Sequence, residues 1–217
     1  MPSVTIQPTL GGQTGYTEGG ADQSAWDTAK DAATGNETLY TADSNTMEIG
    51  GWTNGSAMVC RRVFYTFQIP SDIEGIITSA TFKVGYLIYN GPVRIVGGQR
   101  ADFHVAITVE DHDQVDFNTA YSDSSVQGSS SYYNIDLNQA GIDFLNGVGV
   151  TGANRELVIV SDNDYTDTLP TDTSNRAIFR ARNDDTYFPR LIINYMGFDN
   201  KILAGTTHIG SNTTIHI

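Results

Sequence analysis

The 217 residues carry 12 Lys+Arg against 25 Asp+Glu, for a formal charge of −13 and a pI near 4.4. Such a surface repels phosphate backbones and anionic bilayers, which argues against nucleic acid as a partner, and no run approaches the ~20 apolar residues of a membrane span. With 22 Gly, 11 Tyr and abundant Thr, Ser, Asn and Asp, the composition describes many short strands and turns rather than long amphipathic helices. The single cysteine, Cys60, excludes an internal disulfide framework. Its place in Met58-Val59-Cys60, beside a strongly apolar strand, predicts a small buried hydrophobe.

Val4 and Ile6 alternate with Thr5 and Gln7 in a short first strand. Residues 9–36 are rich in Gly, Asp, Thr and Ala and read as a long irregular excursion, pinned to the body by Trp26. Thr38-Leu39-Tyr40 and Met47-Glu48-Ile49 read as strands before a Gly50-Gly51 turn. Residues 59–69 form one of the strongest strands, with Val63, Tyr65 and Phe67 alternating with Arg62, Phe64 and Thr66. After a turn cluster at 70–75, Ala80, Phe82, Val84 and Tyr86 alternate with Ile77, Ser79, Thr81 and Lys83, the pattern of a sheet with one face in the core. Further strands are expected at 93–96, 103–109, 132–137, 156–161, 176–182 and 190–195. One helix is expected between Asn138, a capping residue, and Gly147. Two acidic loops, 110–131 and 162–174, are long enough to carry function. The reading is an all-β antiparallel sandwich over 1–198. A β-prone run over 199–217 follows, either a local edge strand or an arm that pairs with a neighbouring subunit through Ile202, Leu203, Ile209, Ile215 and Ile217.

The order of Val4-Thr5-Ile6-Gln7-Pro8, Arg62-Val63-Phe64-Tyr65-Thr66-Phe67-Gln68-Ile69-Pro70, Ile77-Thr78-Ser79-Ala80 and Pro189-Arg190-Leu191-Ile192-Ile193-Asn194-Tyr195 resembles the DNRLRE-type domains. These are jelly-roll-like β-sandwiches of microbial extracellular proteins. The resemblance spans about residues 3–195 and implies a jelly-roll-like body. The chain departs from the pattern at Ala181-Arg182-Asn183, where Ser-Arg-Glu is common, and at Phe117 and Phe144, where tryptophan is common.

Candidate site residues follow from chemistry. Asp111, Asp113 and Asp116 in the first acidic loop, and Asp162, Asp164 and Asp167 in the second, alternate with residues whose carbonyls could complete a calcium shell. Neither run has the glycine and glutamate spacing of an EF-hand. His112 could join such a site, whereas His104 reads as structural. His208 and His216, on one face of a strand, could ring a symmetry axis. Tyr132, Tyr133, Tyr165 and Tyr187 offer a platform for sugar rings. Arg180, Arg182 and Arg190 are expected to pair with the surplus carboxylates.

Two functions fit these features. The first is a non-enzymatic structural protein of a virion, a phage capsid decoration or tail-associated component, forming homo-oligomers or binding other virion proteins. It matches the acidity, the β-prone end and an N-terminus without signal-like features. The second is an extracellular carbohydrate-binding or adhesive module, with a glycan and calcium as its ligands. Neither calls for catalysis, and the sequence holds no HExxH, GxSxG or phosphate-cradling loop.

Overall fold

In the computed structural model, residues 1–40, 46–53, 55–73, 75–89, 91–102, 106–124, 132–147, 153–171, 176–180 and 187–197 are described. The expected arm residues Ile202, Leu203, Ile209, Ile215 and Ile217, together with His104, Arg182, His208 and His216, lie outside them. The organising strand is β5 (Ala57–Gln68), where Val63 and Phe64, on opposite faces, are both fully buried. A strand covered on both sides must carry apolar residues at both parities, and Cys60, Val63, Phe64, Tyr65 and Phe67 supply them.

Around β5 forms the larger of two antiparallel sheets. On one side lies β2 (Pro8–Gly19), itself paired with β3 (Glu37–Tyr40). On the other, β5 pairs with β4 (Thr46–Thr53) toward its start and with β10 (Asn154–Ser161) toward its end. Next to β10 come β7 (Val93–Gly98) and β8 (Val115–Ala120), and next to β4 comes β11 (Arg176–Arg180). The smaller sheet runs β1 (Ser3–Ile6), β12 (Arg190–Gly197), β6 (Gly75–Tyr89), β9 (Tyr132–Asp136). The far end of β6 leaves it to pair with β11, so one long strand joins both sheets.

The sheets face one another across one apolar core. Ile6, Ala80, Phe82, Ile135, Leu191 and Ile193 of the smaller sheet meet Val63, Tyr65, Phe67, Ile95, Leu157 and Ile159 of the larger. Burying each such side chain contributes about 1.5–3 kcal/mol, so this layer is the main driving force for the fold. The all-β sandwich expected from periodicity is what the structure shows.

The larger sheet is covered on its other face too. Phe64, Val96, Val158 and Val160 pack under Val115 and Ile107. Beside them, Met58 and Cys60 pack under Ala25, Trp26 and Ala29 of α1 (Gln23–Lys30). Asp22 caps α1 by accepting from the Ala25 N–H at 3.0 Å.

Several local expectations are corrected. The excursion at 9–36 is largely regular, comprising β2 and α1, because strong pairing to β5 overrides the poor strand propensity of its glycines. Residues 106–108 of the strand expected at 103–109 are not in a strand, and Val109–Asp111 forms one 3₁₀ turn. The first acidic loop contains β8, and the second opens with α3 (Asp162–Thr166), capped by Ser161. The expected helix is α2 (Gln139–Leu145), with Asn138 as its cap. There are thus three short α-helices among the described residues, not one.

Candidate ligand-binding site

The outward face of the smaller sheet carries no covering layer among the described residues, and its chemistry is uneven. Because β residues alternate faces, Phe82, Tyr133 and Leu191 point into the core, while Lys83, Tyr132 and Arg190 point out. Register places Arg190, Lys83 and Asn134 in one row across β12, β6 and β9, with Gly85 opposite Tyr132 in the next row. The Lys83 Nζ stands 4.5 Å from the Tyr132 ring centroid and the Arg190 guanidinium 4.8 Å from it. Arg190 also lies 4.7 Å over Phe188 and donates through Nη2 to the Tyr132 hydroxyl.

Tyr187 completes the cluster, 5.3 Å from Tyr132, with the Arg180 guanidinium 5.7 Å over its ring. The residue beneath it must be glycine. A Cβ on Gly85 would meet the Tyr187 Cβ at 2.3 Å and its carbonyl oxygen at 2.9 Å. The Gly85 N–H donates to that same oxygen at 3.2 Å. Two tyrosines, a phenylalanine and three cations therefore share one half-exposed patch of a protein whose carboxylates outnumber its cations two to one. Among the described residues Lys83 and Arg190 make no ion pair, contrary to the expectation that Arg190 neutralises a surplus carboxylate.

Of the four tyrosines expected in a platform, Tyr132 and Tyr187 meet. Tyr133 does not belong, since it is 1% exposed and stacks on Phe179 at 5.8 Å in the core. Tyr165 stands on α3 over the larger sheet, beneath Arg94 and near Phe117. Alternation along β9 makes the Tyr133 result inevitable, because its neighbour Tyr132 takes the outward position.

The acidic residues have other partners. Asp164 is fully buried and receives a bidentate pair from Arg62, at 2.8 and 2.9 Å. Arg62 also donates to the carbonyls of His112 and Lys30, at 2.6 and 2.7 Å, so one guanidinium ties β5 to α1, α3 and the 3₁₀ turn. Asp162 pairs with Arg94, and Asp167 with Lys30 at 3.3 Å. Asp111 accepts from the Thr108 N–H at 2.8 Å, and Asp116 from Asn118. Asp113 lines a recess of about 170 Å³ with Lys30, Phe117, Tyr165 and Asp167, above the Arg62–Asp164 pair. Among the described residues no group of three His, Cys, Asp or Glu side chains is arranged to hold a metal ion.

His112 is buried within this hub. Its Nδ1 meets the Thr14 hydroxyl at 3.1 Å and its Nε2 the Ala29 carbonyl at 3.2 Å, so the neutral ring donates from Nε2. Burial, with the adjacent Arg62 charge, pushes its pKa down to about 4. A second buried pair joins Arg100 to Glu156 at 2.6 Å, with Thr66 donating to the same carboxylate at 3.2 Å. Burial raises the Glu156 pKa against the pull of Arg100. Cys60 is fully buried under α1, and that burial raises its thiol pKa, which fits an inert side chain.

The sequence reading missed Lys83 as part of the platform and Arg62 as the hub. An arginine amid the apolar residues of β5 signals a buried counter-charge, but its partner lies 102 positions away. A scan against protein-family models finds no match to this chain, and a search of curated proteins finds no relative.

Proposed function

We propose that this protein is a non-enzymatic carbohydrate-binding module whose platform of Tyr132, Tyr187, Lys83, Arg180 and Arg190 engages an anionic glycan. The observation that carries this reading is the concentration of cations and aromatic rings on the uncovered face of the smaller sheet. Ring faces stack on the C–H faces of sugars, while a guanidinium fork matches a planar carboxylate. The net charge of −13 selects against polyanions. Within a Debye length of about 8–10 Å the surrounding carboxylates repel a long polyanion, and beyond it the field is screened, so attraction is confined to contact at the patch. A carboxylated sugar within a lightly charged chain fits better than a polysulfated one.

A glycan array with matched acidic and neutral oligosaccharides tests this. Retention of carboxylated glycans, weakened at least tenfold in Arg190→Gln and Tyr187→Ala, is the expected result. An array silent for every glycan refutes it.

The second reading is structural, as a component of a virus particle assembling through strand addition. It draws support from β1 and β9, which stand at the edges of the smaller sheet and are paired along one side among the described residues. Native mass spectrometry tests it: a large symmetric oligomer that falls apart when 199–217 is deleted supports assembly, and a monomer at all concentrations refutes it.

A further inference from the structure

A recess of about 220 Å³ opens beside the platform. Gln13 of β2, Glu37 of β3, Thr46 and Glu48 of β4, Arg61 of β5 and Ile178 of β11 line it. Ile178 and Arg180 are two residues apart on β11, so they point to the same side, roughly 7 Å from one another. Ile178 faces the recess, while Arg180 stacks on Tyr187. The two features adjoin.

The recess differs from the platform in charge. Arg61 pairs with Glu37 at 2.5 Å and with Glu48, and Arg176 pairs with Glu48 at 3.1 Å. Two guanidinium groups thus balance two carboxylates. Arg61 lies 5.1 Å over Trp52, and Gly15 admits it, since a Cβ there would meet the Arg61 Cγ at 3.0 Å.

Gln13 is the residue without an account. It is 4% exposed, and its Oε1 accepts from the Glu48 N–H at 2.6 Å, which sets the amide orientation. Its Nε2 therefore turns to the recess, where it makes no hydrogen bond to a described residue and stays open to solvent. An unused N–H₂ beside carboxylate acceptors, in a charge-balanced recess with Ile178 on one wall, matches a vicinal diol. One hydroxyl oxygen accepts from Nε2, hydroxyl protons go to Glu37 or Glu48, and a C–H face meets Ile178. The volume holds on the order of seven waters at ~30 Å³ each. It is smaller than the roughly 300–1,000 Å³ of drug-sized sites, so it suits a single sugar ring.

We propose that this recess is a subsite for one uncharged hexose residue. The inference rests on the glycan reading of the platform and extends it: the ligand is a mixed chain, with a neutral residue in the recess next to an anionic one on the platform.

Side-chain amide NMR of the full chain, titrated with glucose, galactose and mannose, tests the subsite. At least one hexose is expected to shift the Gln13 Nε2–H₂ resonances saturably, with a Kd on the order of 1–10 mM, ordinary for a single small polar ligand. Gln13→Glu keeps the acceptor for the Glu48 N–H but removes the donor, and weakens that hexose at least tenfold. Gln13 resonances that stay still with all three sugars overturn the subsite, as does undiminished binding by Gln13→Glu. Glucuronate added to the same samples separates the two ideas. Shifts at the Tyr132 and Tyr187 rings with Gln13 silent leave the platform standing alone. A responsive Gln13 with silent tyrosines leaves the recess as a hexose site and removes the platform reading.

Discussion

Replacing Asp164 with alanine probes the hub that joins the two acidic segments to the sheet. The Arg62 and Asp164 side chains are 1% and 0% exposed and share two hydrogen bonds. Asp164→Ala leaves Arg62 its two carbonyl partners but strands a buried cation. Removing one member of a buried ion pair costs about 3–5 kcal/mol. In a domain of this size each kcal/mol lowers Tm by about 2–4 °C, which gives a drop of roughly 6–20 °C. Calorimetry and urea unfolding at neutral pH measure it. Adding Arg62→Met removes the stranded charge, so the double variant is expected to be more stable than Asp164→Ala alone. A loss under about 1 kcal/mol, the scale of an exposed ion pair, refutes the burial argument.

Three further outcomes follow from the geometry. His112 is held neutral, with a pKa of about 4 against an ordinary 6.5. The unfolded chain therefore takes up the proton first, and stability is full above pH 6.5 and falls toward pH 4, by about 3 kcal/mol. Denaturation midpoints across that window measure the slope, and a His112→Asn variant with the same slope contradicts the assignment. Trp26 is fully buried against β5 and meets Gly51, so Trp26→Ala costs about 3–5 kcal/mol. It also exposes Cys60, so faster reaction with a thiol reagent is expected, and an unchanged rate argues against α1 as its cover. Gly85→Ala forces Tyr187 off the sheet: acidic-glycan binding falls at least tenfold while the core, untouched on the opposite face, keeps its circular dichroism.

Strand periodicity made much of the body legible. Alternation in β6 placed Phe82 and Val84 inward, because a pleated strand offers two faces and one was dry. Asn138 announced α2, since a capping side chain acts within three residues. The misses share one cause. β2 was obscured because Gly11, Gly12 and Gly15 weaken any local strand signal, and its pairing with β5 is a long-range fact. That Arg62 and Arg94 meet Asp164 and Asp162 is likewise hidden from carboxylate spacing alone.

The residues by themselves determined the class of fold, through composition, turns and period two, because those are local properties of the chain. Tertiary structure alone decided which charges meet. It buried Tyr133 and exposed Tyr132, gathered Lys83, Arg180 and Arg190 from three strands onto one face, and left the Gln13 amide facing a recess built by five. Burial and pairing at distances of tens to more than one hundred residues are set by the packing of two sheets, and no local pattern encodes them.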